Sequence, residues 1–191
     1  MPSPTTDLEL CNAALVKLGA APITAFTTAD AVAGISQVLY PLTVDAVLTA
    51  HPWSFSLRRV ALTPAAGRPP ADHRHRFILP DDFIRTIDVA DGSKRTPDYR
   101  LVGSELQTNA EQIVLTYQFN AGVAAFPAFF RAALVARLAA ELCLPLTESS
   151  SRAEALDRMA ERELARAWAV DRAQETPVVV NDDSLTTARF R

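Results

Sequence analysis

The sequence predicts an α+β protein: an antiparallel helical bundle of about four helices, with an inserted small antiparallel β-sheet and an extended C-terminal arm. Apolar residues recur at helical spacing before His51 and again from Phe126 to Gln174. Between these regions, apolar and polar residues alternate in short runs, which is typical of strands with one buried face. The chain has 191 residues, 49% of them apolar, which is enough for a real core. We expect the bundle at 1–53 and 126–174, the β-rich insertion at 54–125 and the arm at 175–191.

The first helix is predicted from Asp7 to Leu18. Thr6 and Glu9 fit a capping box, in which the threonine hydroxyl accepts from a free backbone amide and the glutamate reaches back to the threonine amide. Gly19 is expected to end the helix, because glycine readily adopts the left-handed geometry found just past helix ends.

A second helix is predicted to be capped by Thr27 or Thr28 and to end by His51, because Pro52 disfavours helical geometry in the residue before it. Pro41 lies inside this helix. It removes one backbone donor and clashes with the preceding turn, so we expect a kink at 37–40. One face of the helix is predicted to hold Ile35, Leu39, Leu42 and Ala46.

The middle of the chain predicts one small, mainly antiparallel sheet of about four to six strands. Gly103-Ser104 lies between two short strand-like runs and indicates a hairpin. The clearest alternation belongs to the last segment, where Ile113, Leu115 and Tyr117 share one face. The predicted strands are Ser54 to Leu62, Arg76 to Leu79, Ile84 to Ala90, Tyr99 to Val102, Glu105 to Thr108, and Ile113 to Phe119.

Two more helices follow the predicted sheet. The segment from Phe126 to Leu144 is apolar on nearly every side, which indicates a buried core helix that Pro145 stops. Charged residues interrupt it, so it does not read as a membrane span. A long helix is predicted from Ser149 or Ser150 to about Gln174. Its small-residue stripe permits close approach of another helix, either within the subunit or from a neighbour; the stripe is Ala153, Leu156, Ala160, Leu164 and Ala167.

The chemistry-bearing residues give weak signals. The net charge of −3 argues against a protein that binds nucleic acid along its whole surface. Cys11 and Cys143 lie on apolar helical faces and read as buried hydrophobes rather than as nucleophiles paired with His51. His73 and His75 have strand spacing but no evident third metal ligand, so we favour a solvated loop. No phosphate-binding loop and no signal peptide are visible, and we expect no metal and no cofactor.

Two tryptophans carry different expectations. Trp53, with Phe55, is predicted to anchor the core and to join the insertion to the helices. Trp168 lies among charged residues on the long helix, where a contact between subunits and a partly buried intrasubunit position are equally compatible with the pattern.

Four blocks of residues occur in a fixed order along the chain. They are Asp7 to Gly19 (DLELCNAALVKLG) with Pro22-Ile23, then Tyr40-Pro41 with Ala50 to Phe55 (AHPWSF) and Arg58-Arg59, then Leu79 to Arg85 (LPDDFIR), and finally Ala188 to Arg191 (ARFR). In this order and spacing, the blocks resemble the phage tail tubular protein A family and related head–tail adaptors over most of the chain.

The resemblance implies a structural, non-enzymatic role at the neck of a virion or phage-like particle, assembled in the host cytoplasm. Such adaptors form a homo-oligomeric ring, usually of twelve copies, below the portal protein. The ring extends the DNA channel without sequence-specific binding and seats a distal tail, nozzle or stopper protein; no membrane is involved. A C-terminal arm docks on the portal. Here it would comprise Val178, Val179, Val180, Leu185, Arg189, Phe190 and Arg191, with Phe190 where tyrosine is common and Arg191 as an extra terminal residue.

A ring needs two complementary patches on each subunit. The residues that we expect at the subunit interface are Arg58, Arg59, Arg158, Arg162, Arg166 and Trp168. The alternative is a soluble small-molecule-binding domain or enzyme that uses His51, His73 and His75, which would need these histidines to converge on a concave site.

Overall fold

The computed structural model describes residues 6–27, 30–67 and 73–174. The predicted α+β class is confirmed, and within these ranges all the strands lie between the second and third helices. The helices are α1 (Asp7–Lys17), α2 (Ala31–Ala50), α3 (Ala128–Thr147) and α4 (Ser150–Arg172). The strands are β1 (Leu57–Ala61), β2 (His75–Ile78), β3 (Phe83–Asp91), β4 (Tyr99–Val102), β5 (Glu105–Thr108) and β6 (Ile113–Phe119).

The start of α1 is as predicted. The amide of Glu9 donates to Thr6 Oγ1 (3.2 Å), and the amide of Thr6 donates to Glu9 Oε2 (3.0 Å). Gly19 adopts a positive φ of 70° just past the helix end. The side chain of Asn12 then fixes the returning chain, because it donates to Ile23 O (2.9 Å) and accepts from Ile23 N (2.8 Å).

The predicted cap of α2 is wrong, and its predicted buried face is right only for Ile35 and Leu39, which pack partly buried against the core. Asp30, not a threonine, is the cap, with Oδ2 accepting from Ala33 N (3.1 Å); Thr28 lies outside the described residues. Leu42, expected inside, is 60% exposed. Apolar residues lie on nearly every side of α2, so periodicity alone cannot select the buried face. The buried residues are Ala33, Ser36, Tyr40, Thr43, Val44, Val47 and Leu48. The helix runs through Pro41, and the expected kink stays a prediction.

Pro145 does not stop α3 as predicted. The helix continues to Thr147 and ends where Glu148 adopts a left-handed conformation with φ of 52°. Thr147 Oγ1 donates to Cys143 O (2.7 Å), which adds a hydrogen bond in the turn that contains the proline. In this last turn Leu144 and Pro145 are exposed, whereas Leu146 is partly buried against the core.

Helices α3 and α4 pack through alanines. Ala136, Ala140 and Ala160 form one buried cluster, so small side chains let the two helices approach closely within the subunit. Ala160 therefore contacts a helix of its own subunit, which was one of the two alternatives that the sequence left open for the stripe. Arg137 links the same helices by an ion pair with Asp157 (2.6 Å). Ser149 caps α4, with its hydroxyl accepting from Arg152 N (3.4 Å).

The strands form two three-stranded antiparallel sheets rather than the single sheet that we expected. Their orders are β1-β6-β3 and β2-β5-β4. The β4–β5 hairpin turns at Gly103, whose φ is 57°, as predicted. A separate apolar core lies in this region; its buried members are Leu62, Phe77, Leu79, Val89, Leu106, Ile113, Leu115 and Tyr117.

The passage from α2 to β1 is organised around Trp53. The segment Ser54–Ser56 is a 3-10 turn rather than the start of a strand, and it buries Trp53 and Ser56 completely. The indole ring of Trp53 meets the ring of Phe130 edge-on at 5.1 Å, and Phe55 meets Phe130 at 4.9 Å. The expectation that Trp53 and Phe55 are core anchors is confirmed.

Candidate functional site

The C-terminal end of α2 is capped by side chains from the residues that follow it. The last carbonyls of a helix have no partner within the helix, and Pro52 has no amide to offer Leu48 O. Trp53 Nε1 donates to Val47 O (2.9 Å). The carboxamide of Gln118, on β6, donates to Leu48 O (2.7 Å) and to His51 O (2.9 Å). The helical and β-rich parts are therefore joined by buried hydrogen bonds.

Asp171 completes this junction from the last turn of α4. Its carboxylate is 3% exposed and accepts from the hydroxyl of Ser54 (2.7 Å) and from the Ser54 amide (3.0 Å). His51 Nε2 lies 3.5 Å from Asp171 Oδ2. Burial lowers the pKa of His51, and the nearby Asp171 carboxylate only partly opposes this shift. We call these four residues, Gln118, Asp171, Ser54 and His51, the junction network.

The junction network contains Ser, His and Asp, but its connections are not those of a nucleophilic triad. In a triad, the histidine lies between the serine and the aspartate and takes the serine proton. Here the aspartate lies in the middle, and the Ser54 hydroxyl donates to it directly. The Ser54 hydroxyl therefore has a carboxylate, and not an imidazole, as its acceptor, and the arrangement is suited to holding three chain segments together.

The other reactive side chains do not join this network. Cys11 and Cys143 are free and fully buried, as predicted, and burial raises the pKa of the Cys11 thiol. His75 begins β2 in the other sheet, with His73 two residues before it. Among residues 6–27, 30–67 and 73–174, no group of three His, Cys, Asp or Glu side chains could hold a metal ion.

Removal of the Asp171 carboxylate should weaken the fold markedly. We expect Asp171→Ala to lower the free energy of unfolding by about 2–3 kcal/mol, because it leaves the buried donors of Ser54 without an acceptor. Asp157→Ala is the control. Asp157 is also an ion-paired aspartate on α4, but its side chain is 48% exposed, so the expected loss is below about 1 kcal/mol. Urea unfolding of both variants measures the difference, and equal losses would contradict the assigned role of Asp171.

Sequence reasoning missed Asp171 and Gln118. A signal for Asp171 was present, because it continues the spacing of Ala160, Leu164 and Ala167 and so lies on the buried face of α4. No comparable signal marked Gln118. It lies on the polar side of the alternating β6 pattern, which the end of α2 covers.

The predicted interface arginines occupy different environments. Arg58 is held inside the subunit, with Nη1 2.5 Å from Asp82 Oδ2 and its guanidinium 3.9 Å from the centre of the Phe119 ring. Asp82 also accepts from the hydroxyl of Tyr117 (2.8 Å). Arg59, next along β1, is exposed and has no side-chain partner in the described part of the chain.

On α4, the three arginines are all exposed. Arg166 pairs with Glu163 (2.6 Å) and Arg158 lies 3.9 Å from Glu154, whereas Arg162 has no ion pair among the described residues. Trp168 is half-buried on the same helix and stacks on His51, with ring centres 5.6 Å apart. Its indole nitrogen is buried without a hydrogen-bond partner in the residues that the structure describes. Because His51 belongs to the junction network, this stacking contact puts Trp168 next to the network.

An open groove of about 790 Å³ lies between α2, α3 and α4. We call it the α2 groove. Its apolar lining includes Val38, Leu39, Ala140, Leu144 and Ala153. Its charged rim consists of Arg137, Glu141, Glu154 and Asp157. Leu39 was predicted in the core, and it does pack partly buried against it, so the groove was not predicted from the sequence. The signal that could have found the groove is the presence of apolar residues on nearly every side of α2.

Among the described helices, α2 is the one that is long and apolar enough to cross a bilayer by those two measures, and here its buried face packs into the helical core. The predicted arm residues, Val178, Val179, Val180, Leu185, Arg189, Phe190 and Arg191, lie outside the described residues.

A scan against protein-family models found no match to this chain, and a search of curated proteins also found none.

Proposed function

We propose that this chain is a structural head–tail adaptor of a tailed phage or phage-derived particle. Copies of it form a ring of about twelve below the portal, as the resemblance implies. The ring extends the DNA channel, contacts DNA without reading its sequence, and seats the next neck or tail component. The observation that carries the proposal is the chain order: two helices, a β-rich insertion, two helices and a tail, with the resembling blocks in that same order.

We further propose that the four helices form an antiparallel bundle. Helix α3 packs against each of α1, α2 and α4, which supports a central position for it. Only residues 148–149 separate α3 from α4, and so short a connection favours antiparallel neighbours. The insertion leaves this core after Trp53 and returns to it at Phe126, and both side chains are buried in the helical core.

The tail after Gln174 is the proposed portal-binding arm. Its root is supported by the junction network, because Asp171 lies three residues before Gln174 and is bonded to Ser54. A short arm needs a fixed root if its apolar and arginine residues are to reach a defined site on a partner. The arm is rich in such residues, with three consecutive valines and the Arg-Phe-Arg ending.

The proposed copy–copy contacts involve Arg59 and Arg162 most directly, since both are exposed and lack side-chain partners among the described residues. Arg158, Arg166 and Trp168 lie on the same helix as Arg162 and extend this surface. Arg58 is already paired with Asp82, and its partly exposed side chain forms part of the same proposed contact surface on β1. The proposal assigns no catalytic step to any of these residues.

Assembly with the portal tests the proposal. The full-length chain is co-expressed with the portal protein of the same particle, and the complex is examined by native mass measurement and single-particle imaging. We expect a closed ring of about twelve copies, coaxial with the portal. A chain that stays monomeric and does not bind the portal under any assembly condition would refute the adaptor role. A free monomer without the portal would not, because the portal can template the ring.

A further inference from the structure

We propose that the α2 groove is one half of the seam between neighbouring copies, and that it receives the outer face of sheet β2-β5-β4 of the next copy. This inference rests on the proposed ring and names the surfaces that close it. The resemblance does not supply either surface, since neither lies on the residues expected at the interface from the sequence.

The α2 groove has the composition of a contact surface rather than of ordinary solvent-facing helices. Val38 and Leu144 are 60% and 53% exposed, and Leu42, one turn along α2 from Val38, is 60% exposed. Together with the half-buried Leu39 they form one apolar strip across two helices. A contiguous exposed apolar patch on a globular protein commonly marks an interaction site.

The rim of the α2 groove is acidic. Glu141, Glu154 and Asp157 bring three carboxylates, against the single guanidinium of Arg137. That guanidinium is shared between Glu141 (2.5 Å) and Asp157 (2.6 Å), so it leaves the rim with an excess of negative charge. Arg158 approaches Glu154 only to 3.9 Å. A partner surface for this groove should therefore be apolar in its centre and carry arginine or lysine beside the apolar residues.

The sheet β2-β5-β4 offers such a surface. Ile78, Glu105 and Val102 lie opposite one another in one row, and Arg76, Gln107 and Arg100 lie in the row two residues away. Residues two apart on a strand share a face, so the isoleucine and valine lie beside both arginines. Ile78 is 53% exposed and Val102 47%. Arg100 has no partner among the described residues, whereas Arg76 pairs with Glu105 (3.2 Å).

The apolar and charge patterns of the two surfaces are thus complementary. A net negative rim meets a face whose one net positive charge is that of Arg100, because Arg76 is paired with Glu105 and also donates to Ala66 O. Because the two patches are different, their contact is head-to-tail, and repetition of such a contact generates a ring when the rotation closes. The same pair of patches on every copy therefore suffices for the whole ring.

The valines of the chain's own arm are a poorer occupant. The α4 residues that line the α2 groove lie between Ala153 and Asp157. Gln174 is about 25 Å or more from them along the helix. Val180 is the sixth residue after Gln174, and a fully extended chain over six residue steps covers at most about 22 Å. The valines of the arm therefore cannot cover the groove of their own subunit.

A charge placed in the groove tests the seam. In the complex with the portal, Val38→Asp should weaken copy–copy association by about tenfold or more, because the new carboxylate is buried against an apolar face and adds to the acidic rim. Val16→Asp is the matched control, since Val16 is also 60% exposed on a helix but lies outside the groove. Normal rings with Val38→Asp would overturn the inference while leaving the adaptor role intact. Absence of rings with the unmodified chain would refute the adaptor role itself.

Engineered cysteines test the partner surface. The native thiols are fully buried, so exposed cysteines are the reactive ones. In the ring, the double variant Val38→Cys/Val102→Cys should cross-link into a ladder of increasing copy number, whereas a mixture of the two single variants should stop at dimers. Dimers from Val38→Cys alone would show a groove-to-groove contact and overturn the head-to-tail pairing. Rings without any cross-link would overturn it as well.

Thiol labelling separates a second copy from the arm. In the free monomer, Val38→Cys should react with a maleimide equally fast in the full-length chain and in a chain that ends at Gln174, and it should react slowly in the assembled ring. Faster labelling of the shortened monomer would mean that the arm occupies the groove, and would overturn the inference.

Discussion

Replacement of Trp53 by alanine is expected to lower the free energy of unfolding by about 3–5 kcal/mol, the largest loss of any single substitution that we consider. The side chain is fully buried and is in ring contact with Phe130 and His51. Alanine would leave a cavity among aromatic side chains that cannot collapse into it. It would also remove the indole donor from Val47 O, which is a carbonyl at the end of α2.

Urea unfolding followed by circular dichroism measures this loss. Trp168→Ala is the matched control, because the Trp168 ring also contacts His51. Trp168 is only half-buried, however, and its indole nitrogen makes no hydrogen bond within the described residues. Its expected loss is about 1–2 kcal/mol. A Trp53→Ala protein as stable as the Trp168→Ala protein would contradict the anchoring role. Trp53→Phe keeps most of the ring volume but removes the indole donor to Val47 O. The stability of this variant therefore measures the contribution of that hydrogen bond to capping α2.

Removal of the residues after Gln174 is expected to abolish attachment to the portal and to leave the fold intact. The helical core, the two sheets and the junction network are all formed by residues up to Arg172. The urea midpoint and the circular dichroism spectrum should therefore be unchanged. Binding to the purified portal should fall by about a hundredfold or more, the loss expected when a main anchor is removed.

Two internal controls sharpen the truncation experiment. Serine at Val178, Val179 and Val180 tests the apolar half of the arm, and alanine at Arg189, Phe190 and Arg191 tests its tip. A scrambled arm of the same composition and length controls for non-specific adhesion. Normal particle assembly by the shortened chain would refute the arm assignment, whatever the two partial variants do.

The features that sequence predicted well are local. The capping box of α1 needs only Thr6 and Glu9, and the β4–β5 hairpin needs only a turn at Gly103, so both were predicted at their observed positions. The α4 stripe was also correct, because its polar face contrasts with its alanines. In α2 there is no such contrast, and the choice of buried face depends on what the rest of the chain brings against it.

The features that sequence could not predict depend on distant residues. Strand β3 pairs with β6, which follows β4 and β5 in the chain, and this pairing divides the strands between two sheets. The junction network depends on a contact between Ser54 and Asp171, separated by 117 residues. In the sequence, Ser54 is explained as a turn residue and Asp171 as a residue near a helix end. Their contact exists only because the fold brings these two segments together.

The capping of α2 by side chains from elsewhere has a consequence for synthesis on the ribosome. Residues up to His51 emerge early, yet Gln118 must be made before Leu48 O gains its donor, and Asp171 must be made before Ser54 is held. Leu48 O therefore lacks its Gln118 donor until β6 is made, and Ser54 lacks its acceptor until the last turn of α4 is made. Because contacts between residues so far apart in the sequence are slow to form, we expect the contact between Ser54 and Asp171 to close late and the root of the arm to become fixed with it. A nascent or broken chain thus has no firmly rooted arm with which to occupy a site on the portal.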